Sequence, residues 1–258
     1  MFPFAFLVVW SGLVGLVVGS YLNVVIHRLP EGRSTVTPRS RCPACGAPIR
    51  ALDNLPVLSW FLLGGRCRDC RAPISPRYPL VEAATGALFA GAVVRFGWSL
   101  EALAAALLAS LLVALAGIDV DHFLLPDKLT LPGLAAGFAL QPLLVDGSFA
   151  RSVQGALAGA GVLLVLAGAW ELAKGVEGMG LGDVKMLAMI GAFLGVAGVA
   201  VTLVVASFAG SVAGLALIAG GRGGLGSKLP FGVFLAAGGL VAIFFGPALT
   251  RAYLGLLS

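Results

Sequence analysis

The run Gly178-Met179-Gly180-Leu181-Gly182-Asp183 lies between the apolar segment 152–173 and a second apolar stretch that starts at residue 184. A membrane span takes about 20 apolar residues, so the run is expected at a bilayer surface. A carboxylate at such a boundary is costly and is read first as a functional residue. This stretch therefore predicts a membrane protein with a charged site at a helix end.

Composition agrees with a membrane location. Hydrophobic residues make up 59% of the 258 residues, charged residues make up 11%, and the mean hydropathy is +1.01, whereas roughly 25% of the residues in a soluble domain are charged. We predict an all-α polytopic membrane protein with about eight transmembrane helices. They run over 4–26, 79–97, 101–119, 129–145, 152–173, 184–196, 198–219 and 230–249.

The sixth predicted span is short, and its boundary with the seventh near Gly195–Gly198 leaves a seven-span interpretation open. No Arg or Lys precedes the first apolar segment and no small-residue cleavage site stands out, so we read this segment as a retained helix. The expected organisation is a first transmembrane helix at 1–26, a polar cytoplasmic loop domain at 27–78 and a transmembrane core at 79–258.

Positive charge predicts the orientation, because Arg and Lys concentrate on the cytoplasmic side of membrane proteins. With the N-terminus outside, the cytoplasmic segments hold 14 of the 17 cations, and only Arg95, Arg151 and Arg251 lie outside. The net charge of +5 is then a topology signal. No basic stripe interleaved with aromatic residues indicates nucleic-acid binding. The cytoplasmic cations are Arg28, Arg33, Arg39, Arg41, Arg50, Arg66, Arg68, Arg71, Arg77, Lys128, Lys174, Lys185, Arg222 and Lys228.

A second aspartate stands where another apolar run stops. In Gly117-Ile118-Asp119-Val120-Asp121-His122 the carboxylate of Asp119 ends the third span, and the predicted topology brings it to the same cytoplasmic face as Asp183. Two carboxylates at one surface suffice for acid–base hydrolysis without a metal or a nucleophile. For each of them, a helix cap or an ion pair with Lys128 or Lys185 is the structural alternative.

The glycines before Asp183 suit a site that must accept an extended peptide. Without Cβ atoms, Gly180 and Gly182 let a substrate backbone approach closely. A flexible connector is the alternative interpretation.

The other acidic residues have simpler interpretations. Asp121 points elsewhere on the helix than Asp119, and Asp127 after Pro126 is expected to cap the next helix. Glu82, just inside the second span, is expected either in the site or in a salt bridge to the loop. Glu171 and Glu177 are expected to be solvated.

All four cysteines lie in the polar insert, as Cys42-Pro43-Ala44-Cys45 and Cys67-Arg68-Asp69-Cys70 with 21 residues between the pairs. This spacing predicts one tetrahedral zinc site with four thiolate ligands, Cys42, Cys45, Cys67 and Cys70. Two redox pairs are the alternative. Four thiolates indicate a structural metal, since a catalytic zinc keeps an open position. His27 and His122 are read as helix-end residues, and Gly19-Ser20 and Gly147-Ser148 as helix packing and an outer turn rather than serine nucleophiles.

Taken in order, these motifs resemble those of the bacterial type IV prepilin peptidases, the leader peptidase/N-methyltransferases. One departure is Val233, where the resemblance leads us to expect proline. The matching stretches are Gly19 to Pro30, Ser40 to Cys45, Gly65 to Cys70, Arg77 to Glu82, Asp119 to Asp127, Gly180 to Lys185, and Leu229 to Gly232.

The resemblance implies an aspartic protease of the inner membrane whose catalytic positions correspond to Asp119 and Asp183. Such enzymes cut a short basic leader from prepilins and pseudopilins after a glycine, and many then methylate the new N-terminus with S-adenosylmethionine. The residues that would bind this methyl donor cannot be read from the sequence. A proton-coupled transporter using intramembrane aspartates is the alternative, but the matching repeats of such proteins are not found.

Helix direction predicts how the two aspartates differ. Asp119 ends an inward-running helix and meets a negative pole, whereas Asp183 begins an outward-running helix and meets a positive pole. We therefore expect Asp183 to be the ionised base and Asp119 the proton donor.

Overall fold

A computed structural model describes residues 3–175, 180–221 and 229–256. Its regular elements there are helical, apart from two isolated β-bridges, which confirms the predicted all-α class. Two short 3-10 helices cover Ala51–Asn54 and Gln141–Leu143. The α-helices are α1 Phe4–Arg28, α2 Leu58–Leu62, α3 Arg77–Phe96, α4 Leu100–His122, α5 Asp127–Leu140, α6 Phe149–Lys174, α7 Leu181–Ala219 and α8 Phe231–Gly255.

Six of the described helices are long and apolar enough to cross a membrane: α1, α3, α4, α6, α7 and α8. Each of the eight segments predicted from the sequence nevertheless corresponds to a helix or to part of one. The segment 129–145 corresponds to α5, which has only 14 residues, and the pair 184–196 and 198–219 corresponds to α7, which has 39. Glu177, Gly178, Met179, Arg222 and Lys228, which entered the sequence interpretation, lie outside the described residues.

The helix α7 folds back on itself at Gly195. This residue has φ 71° and ψ −175°, which are not helical and which side-chain-bearing residues rarely adopt. A Cβ on Gly191 would lie 2.9 Å from Val199 Cγ2, although eight residues of straight helix span about 12 Å. The two halves of α7 therefore form a hairpin, and the predicted boundary near Gly195–Gly198 lies at its turn.

The chain divides into two compact units, Met1–Ala114 and Leu115–Ser258. In the first unit α1 packs closely on α3, because small residues face each other. A Cβ on Gly15 would lie 2.8 Å from Gly86 Cα, and one on Gly19 would lie 2.7 Å from Glu82 Cα. Glycines four residues apart allow this approach of two membrane helices. Asn23 Nδ2 also donates to the Tyr78 carbonyl at 3.1 Å.

In the second unit α7 packs against α5, α6 and α8. Its first half forms the centre of the core, where Met186, Leu187, Met189 and Ile190 are fully buried. Because these residues follow Asp183 directly, the core holds the first turn of α7 in place.

Candidate active site

Asp119 lies one turn before the end of α4 and is buried, with 5% of its surface exposed. Its Oδ2 accepts a hydrogen bond from the Val233 backbone N–H at 3.2 Å, and this N–H also faces the Pro230 carbonyl at 3.3 Å. The donor belongs to the first turn of α8, whose N–H groups have no partners within their own helix. The N-terminus of α8 therefore binds the Asp119 carboxylate. A proline at position 233 would have no N–H to donate.

Asp183 lies in the first turn of α7 and is partly buried. Its backbone N–H reaches the Gly180 carbonyl at 3.2 Å. The Asp183 and Asp119 carboxyl groups lie close enough for their charges to interact. Two residues from Asp119, Asp121 is exposed, so α4 directs these two side chains to different environments.

The side chain of Leu125 lies between the starts of α7 and α8. A Cβ on Gly182 would lie 2.9 Å from Leu125 Cβ, and a Cβ on Gly232 would lie 3.0 Å from Leu125 Cδ2 and 2.8 Å from Asp119 Oδ2. Leu125 is 7% exposed. It therefore sets the distance between the helix start that carries Asp183 and the helix start that binds Asp119. Nothing in its sequence context singled it out.

The two glycines of the Gly180-Leu181-Gly182 motif have different surroundings. Among the described residues, the atoms nearest to an added Cβ on Gly180 are 3.9 Å and 4.0 Å away, whereas Gly182 packs on Leu125. Internal packing thus gives a second reason for glycine at 182. That substrate backbone approaches at Gly180 and Gly182 stays a prediction.

Asp127 does not cap α5. The N-cap residue is Pro126, and no side chain caps the helix. The Asp127 carboxylate instead pairs with Lys185, whose Nζ lies 2.7 Å and 2.8 Å from its two oxygens. The expected N-cap was wrong because a lysine 58 residues further along the chain competes for this carboxylate. Lys185 therefore links the starts of α5 and α7.

Glu82 contacts the loop, and among the described residues this contact is a backbone hydrogen bond rather than a salt bridge. Its carboxylate accepts the Val57 backbone N–H at 2.7 Å, and Val57 has a positive φ of 62°. Glu171 is exposed as expected. His27 and His122 lie in the last turns of α1 and α4, as expected.

The four cysteines form one cluster. Cys42, Cys45, Cys67 and Cys70 offer sulfur atoms that all lie within 4.8 Å of one another, and Cys42 Sγ and Cys70 Sγ are 3.8 Å apart. Zn–S bonds of about 2.3 Å in a tetrahedron place sulfur atoms about 3.8 Å apart. The cluster thus fits a four-thiolate zinc site.

The two cysteine pairs belong to a repeat that the spacing analysis missed, Arg-Cys-x-x-Cys-x-Ala-Pro-Ile at 41–49 and 66–74. Each copy closes with the same bonds. The Cys42 N–H donates to the Ala47 carbonyl at 2.9 Å, and the Cys67 N–H donates to the Ala72 carbonyl at 2.8 Å. Each copy also has a positive φ at the residue after its second cysteine, 73° at Gly46 and 61° at Arg71.

The backbone around Cys42 favours its thiolate. Hydrogen bonds from the backbone of Cys45 and Ala44 lower the pKa of Cys42 to about 7. For Cys45, a backbone bond at Ala47 also favours the thiolate, but contacts with the Cys70 and Cys42 thiols outweigh it and raise the pKa to about 12. Four crowded thiols cannot all ionise without a cation, which is the situation that zinc resolves.

Comparison with known proteins identifies the family of both units. Residues 13–96 match the bacterial peptidase A24 N-terminal domain, and residues 106–215 match the type IV leader peptidase family. No solved structure matches the chain.

Three relatives illustrate the similarity, and each is called a prepilin leader peptidase/N-methyltransferase. The protein of Burkholderia pseudomallei strain 1026b is 43% identical over 91% of this chain and 84% of its own length. That of Aeromonas hydrophila is 43% identical over 94% and 92%. That of Pseudomonas aeruginosa is 38% identical over 98% and 94%.

Proposed function

The chain belongs to the type IV leader peptidase family, and from this membership we propose that it cuts prepilins with Asp119 and Asp183 as its catalytic pair and methylates the new N-terminus. It is a multi-pass protein of the inner membrane. The observation that best supports this site is a contact between helix ends that are far apart in the sequence. The N-terminus of α8 binds Asp119, and Leu125 separates the start of α8 from the start of α7.

Two neighbouring carboxyl groups can hydrolyse a peptide without a metal, because close carboxylates share a proton. The ionised carboxylate takes a proton from water, and the water oxygen attacks the scissile carbonyl carbon. The protonated carboxyl group donates to the developing oxyanion. When the tetrahedral intermediate collapses, the C–N bond breaks and the leaving amine takes the proton that the first carboxylate removed from water. The second carboxylate recovers a proton from a hydroxyl group of the intermediate. No acyl-enzyme forms.

We assign the resting roles by comparing two effects. A helix terminus stabilises a nearby charge by about 0.3–1 kcal/mol, which was the basis for expecting Asp183 to be ionised. A hydrogen bond to a charged group contributes about 1.5–3 kcal/mol, and Asp119 has one from Val233. In the described part of the chain no hydrogen-bond donor reaches the Asp183 carboxyl group. The larger effect makes Asp119 the base and Asp183 the proton donor, the reverse of the expectation from helix direction.

The excess of Arg and Lys supports an orientation with the N-terminus outside and both aspartates at the cytoplasmic face. In this orientation the basic leader of a prepilin stays in the cytosol, where the anionic inner leaflet attracts it, while the substrate's apolar helix remains in the bilayer. Prepilins and pseudopilins are the proposed substrates, and the bilayer is the other partner. Membership of the leader peptidase family gives no support to the transporter alternative.

Residues 27–78 form the proposed zinc domain and residues 79–258 the proposed peptidase core. Cys42, Cys45, Cys67 and Cys70 would hold zinc, which would stabilise a segment with little apolar core of its own. For methylation the donor would be S-adenosylmethionine. The groove between α1 and α3 does not fit it, because its lining of small and apolar residues offers no group to bind the charged end of this molecule.

Purified protein with a synthetic prepilin and S-adenosylmethionine tests the proposal. We expect cleavage after the leader glycine and one added methyl group, both detected by mass spectrometry. Asp183→Asn should abolish cleavage, whereas Asp121→Asn, at an exposed position of α4, should leave it nearly intact. Pre-cleaved substrate should still be methylated by Asp119→Asn, since methyl transfer has no evident need for the pair. Full cleavage by Asp183→Asn would refute the assignment.

A further inference from the structure

The loop between α1 and α3 carries large apolar side chains that are exposed on its surface. In the short helix α2, Leu58, Phe61 and Leu62 are 62%, 66% and 80% exposed. Their spacing of i, i+3 and i+4 places them on one helix face. An exposed cluster of this kind marks an interaction surface.

The opposite side of α2 fixes which way this face points. Trp60 Nε1 donates to the Ile74 carbonyl at 3.1 Å, and its ring lies 2.9 Å from where a Cβ on Gly65 would be. Trp60 thereby attaches α2 to the second cysteine repeat, at 66–74. The face of Leu58, Phe61 and Leu62 is therefore turned away from the zinc-binding part of the loop.

The start of α2 is tied to a membrane-spanning helix. Val57 donates its N–H to Glu82 Oε2 at 2.7 Å, and Glu82 lies five residues inside α3, which begins at Arg77. At about 1.5 Å per residue, this is about 7.5 Å from the start of the helix. The Val57–Glu82 bond therefore holds the start of α2 beside the second turn of a helix that is apolar enough to cross the bilayer.

Residues at the start of α2 also share a surface with the lipid-facing sides of two spans. Pro56, Val57 and Leu58 line one groove together with Val9 and Leu13 of α1 and with Ala87 of α3, among others. Val9 and Leu13 are 62% and 50% exposed and belong to a helix apolar enough to cross the bilayer. The exposed face of α2 is thus continuous with a surface that acyl chains cover.

We propose that α2 is an interfacial anchor, with Leu58, Phe61 and Leu62 inserted among the acyl chains of the leaflet that surrounds the end of α1 and the start of α3. A short helix with one apolar face binds a bilayer in this way. The Glu82 carboxylate, otherwise a costly group in a span, serves to hold the inserted segment.

Photocrosslinking in proteoliposomes tests the anchor. p-Benzoylphenylalanine is placed at Phe61 or at Leu62 in separate full-length variants, and at the exposed loop residue Arg39 as the control. Zinc content and prepilin cleavage confirm that each variant is folded. After irradiation, mass spectrometry identifies what is attached at each position.

We expect lipid adducts at positions 61 and 62, at several times the yield found at position 39. Adducts to a second copy of the chain would overturn the proposal in favour of a dimer contact. Adducts that form only when prepilin is added would overturn it in favour of substrate docking, and the absence of lipid adducts at both positions would overturn it outright. Cleavage is measured separately, so loss of the anchor and loss of the proposed activity are distinguishable.

Discussion

Replacing Gly232 with alanine should lower the rate of prepilin cleavage by disturbing the proposed active site, while leaving the fold in place. The added Cβ would lie 2.8 Å from Asp119 Oδ2 and 3.0 Å and 3.1 Å from the two δ-carbons of Leu125. Because the carboxylate must move, its hydrogen bond with Val233 is lost, and a hydrogen bond to a charged group contributes about 1.5–3 kcal/mol. At about 1.4 kcal/mol per factor of ten, this is a loss of roughly 10- to 150-fold in kcat.

The assay is the initial rate of prepilin cleavage in detergent, with thermal unfolding measured in parallel. Gly246→Ala is the matched control on the same helix, because its nearest neighbour would be 4.0 Å away, and it should leave the rate unchanged. Adding Leu125→Ala relieves only the Leu125 contacts, so it should not restore Gly232→Ala. A Gly232→Ala enzyme within twofold of the wild-type rate, or its rescue by Leu125→Ala, would refute the reasoning.

Three further predictions concern the spacing of the site and the zinc loop. Leu125→Ala leaves a cavity between two helix starts, so it should cost about 2–5 kcal/mol of stability and lower kcat. Leu125→Met conserves the volume and should cost under about 1.5 kcal/mol. Equal activities of the two variants would contradict the role of Leu125 in spacing the site. Elemental analysis should find about one zinc per chain, reduced in Cys45→Ser, and zinc retention should fall as the pH is lowered, because the ligands must be thiolates and protons compete with the metal for them. In the loop repeat, Gly46→Ala should lower stability by about 1–2 kcal/mol, whereas Arg71→Gly should be tolerated, because both positions have a positive φ. Zinc should therefore be released faster from Gly46→Ala than from Arg71→Gly, and the opposite order would contradict this.

Much of this fold could be predicted from one sequence because membrane helices are encoded locally. Each of the eight predicted segments needed only a continuous apolar run, and Gly195 marked the hairpin within α7 because glycine tolerates its torsion angles. The cluster of four cysteines could be predicted equally well, since two close cysteine pairs need only a turn each. The aspartates stood out because a charge at the end of an apolar run is costly wherever it occurs.

The contacts that build the site could not be predicted in this way, because they join residues far apart in the chain. Val233 lies 114 residues from Asp119, and Lys185 lies 58 from Asp127. From helix direction alone we expected Asp183 to be the ionised carboxylate. The N-terminus of α8 lies beside Asp119 only through tertiary packing, so helix direction could not take its effect on Asp119 into account. Leu125 gave no signal, because a leucine beside another leucine and a proline is ordinary until two glycines are found packed on it.

The most direct measurement is kcat/KM for cleavage of one prepilin by four enzymes in the same detergent: wild type, Asp119→Asn, Asp183→Asn and the double variant. Catalytic residues that act as a unit are strongly non-additive, with single losses on the order of 10⁴-fold or more. Each single variant should therefore be nearly inactive, and the double variant should be no slower than either. If one single variant kept more than a few per cent of the wild-type rate, or if the two losses multiplied in the double variant, Asp119 and Asp183 would not form one catalytic pair.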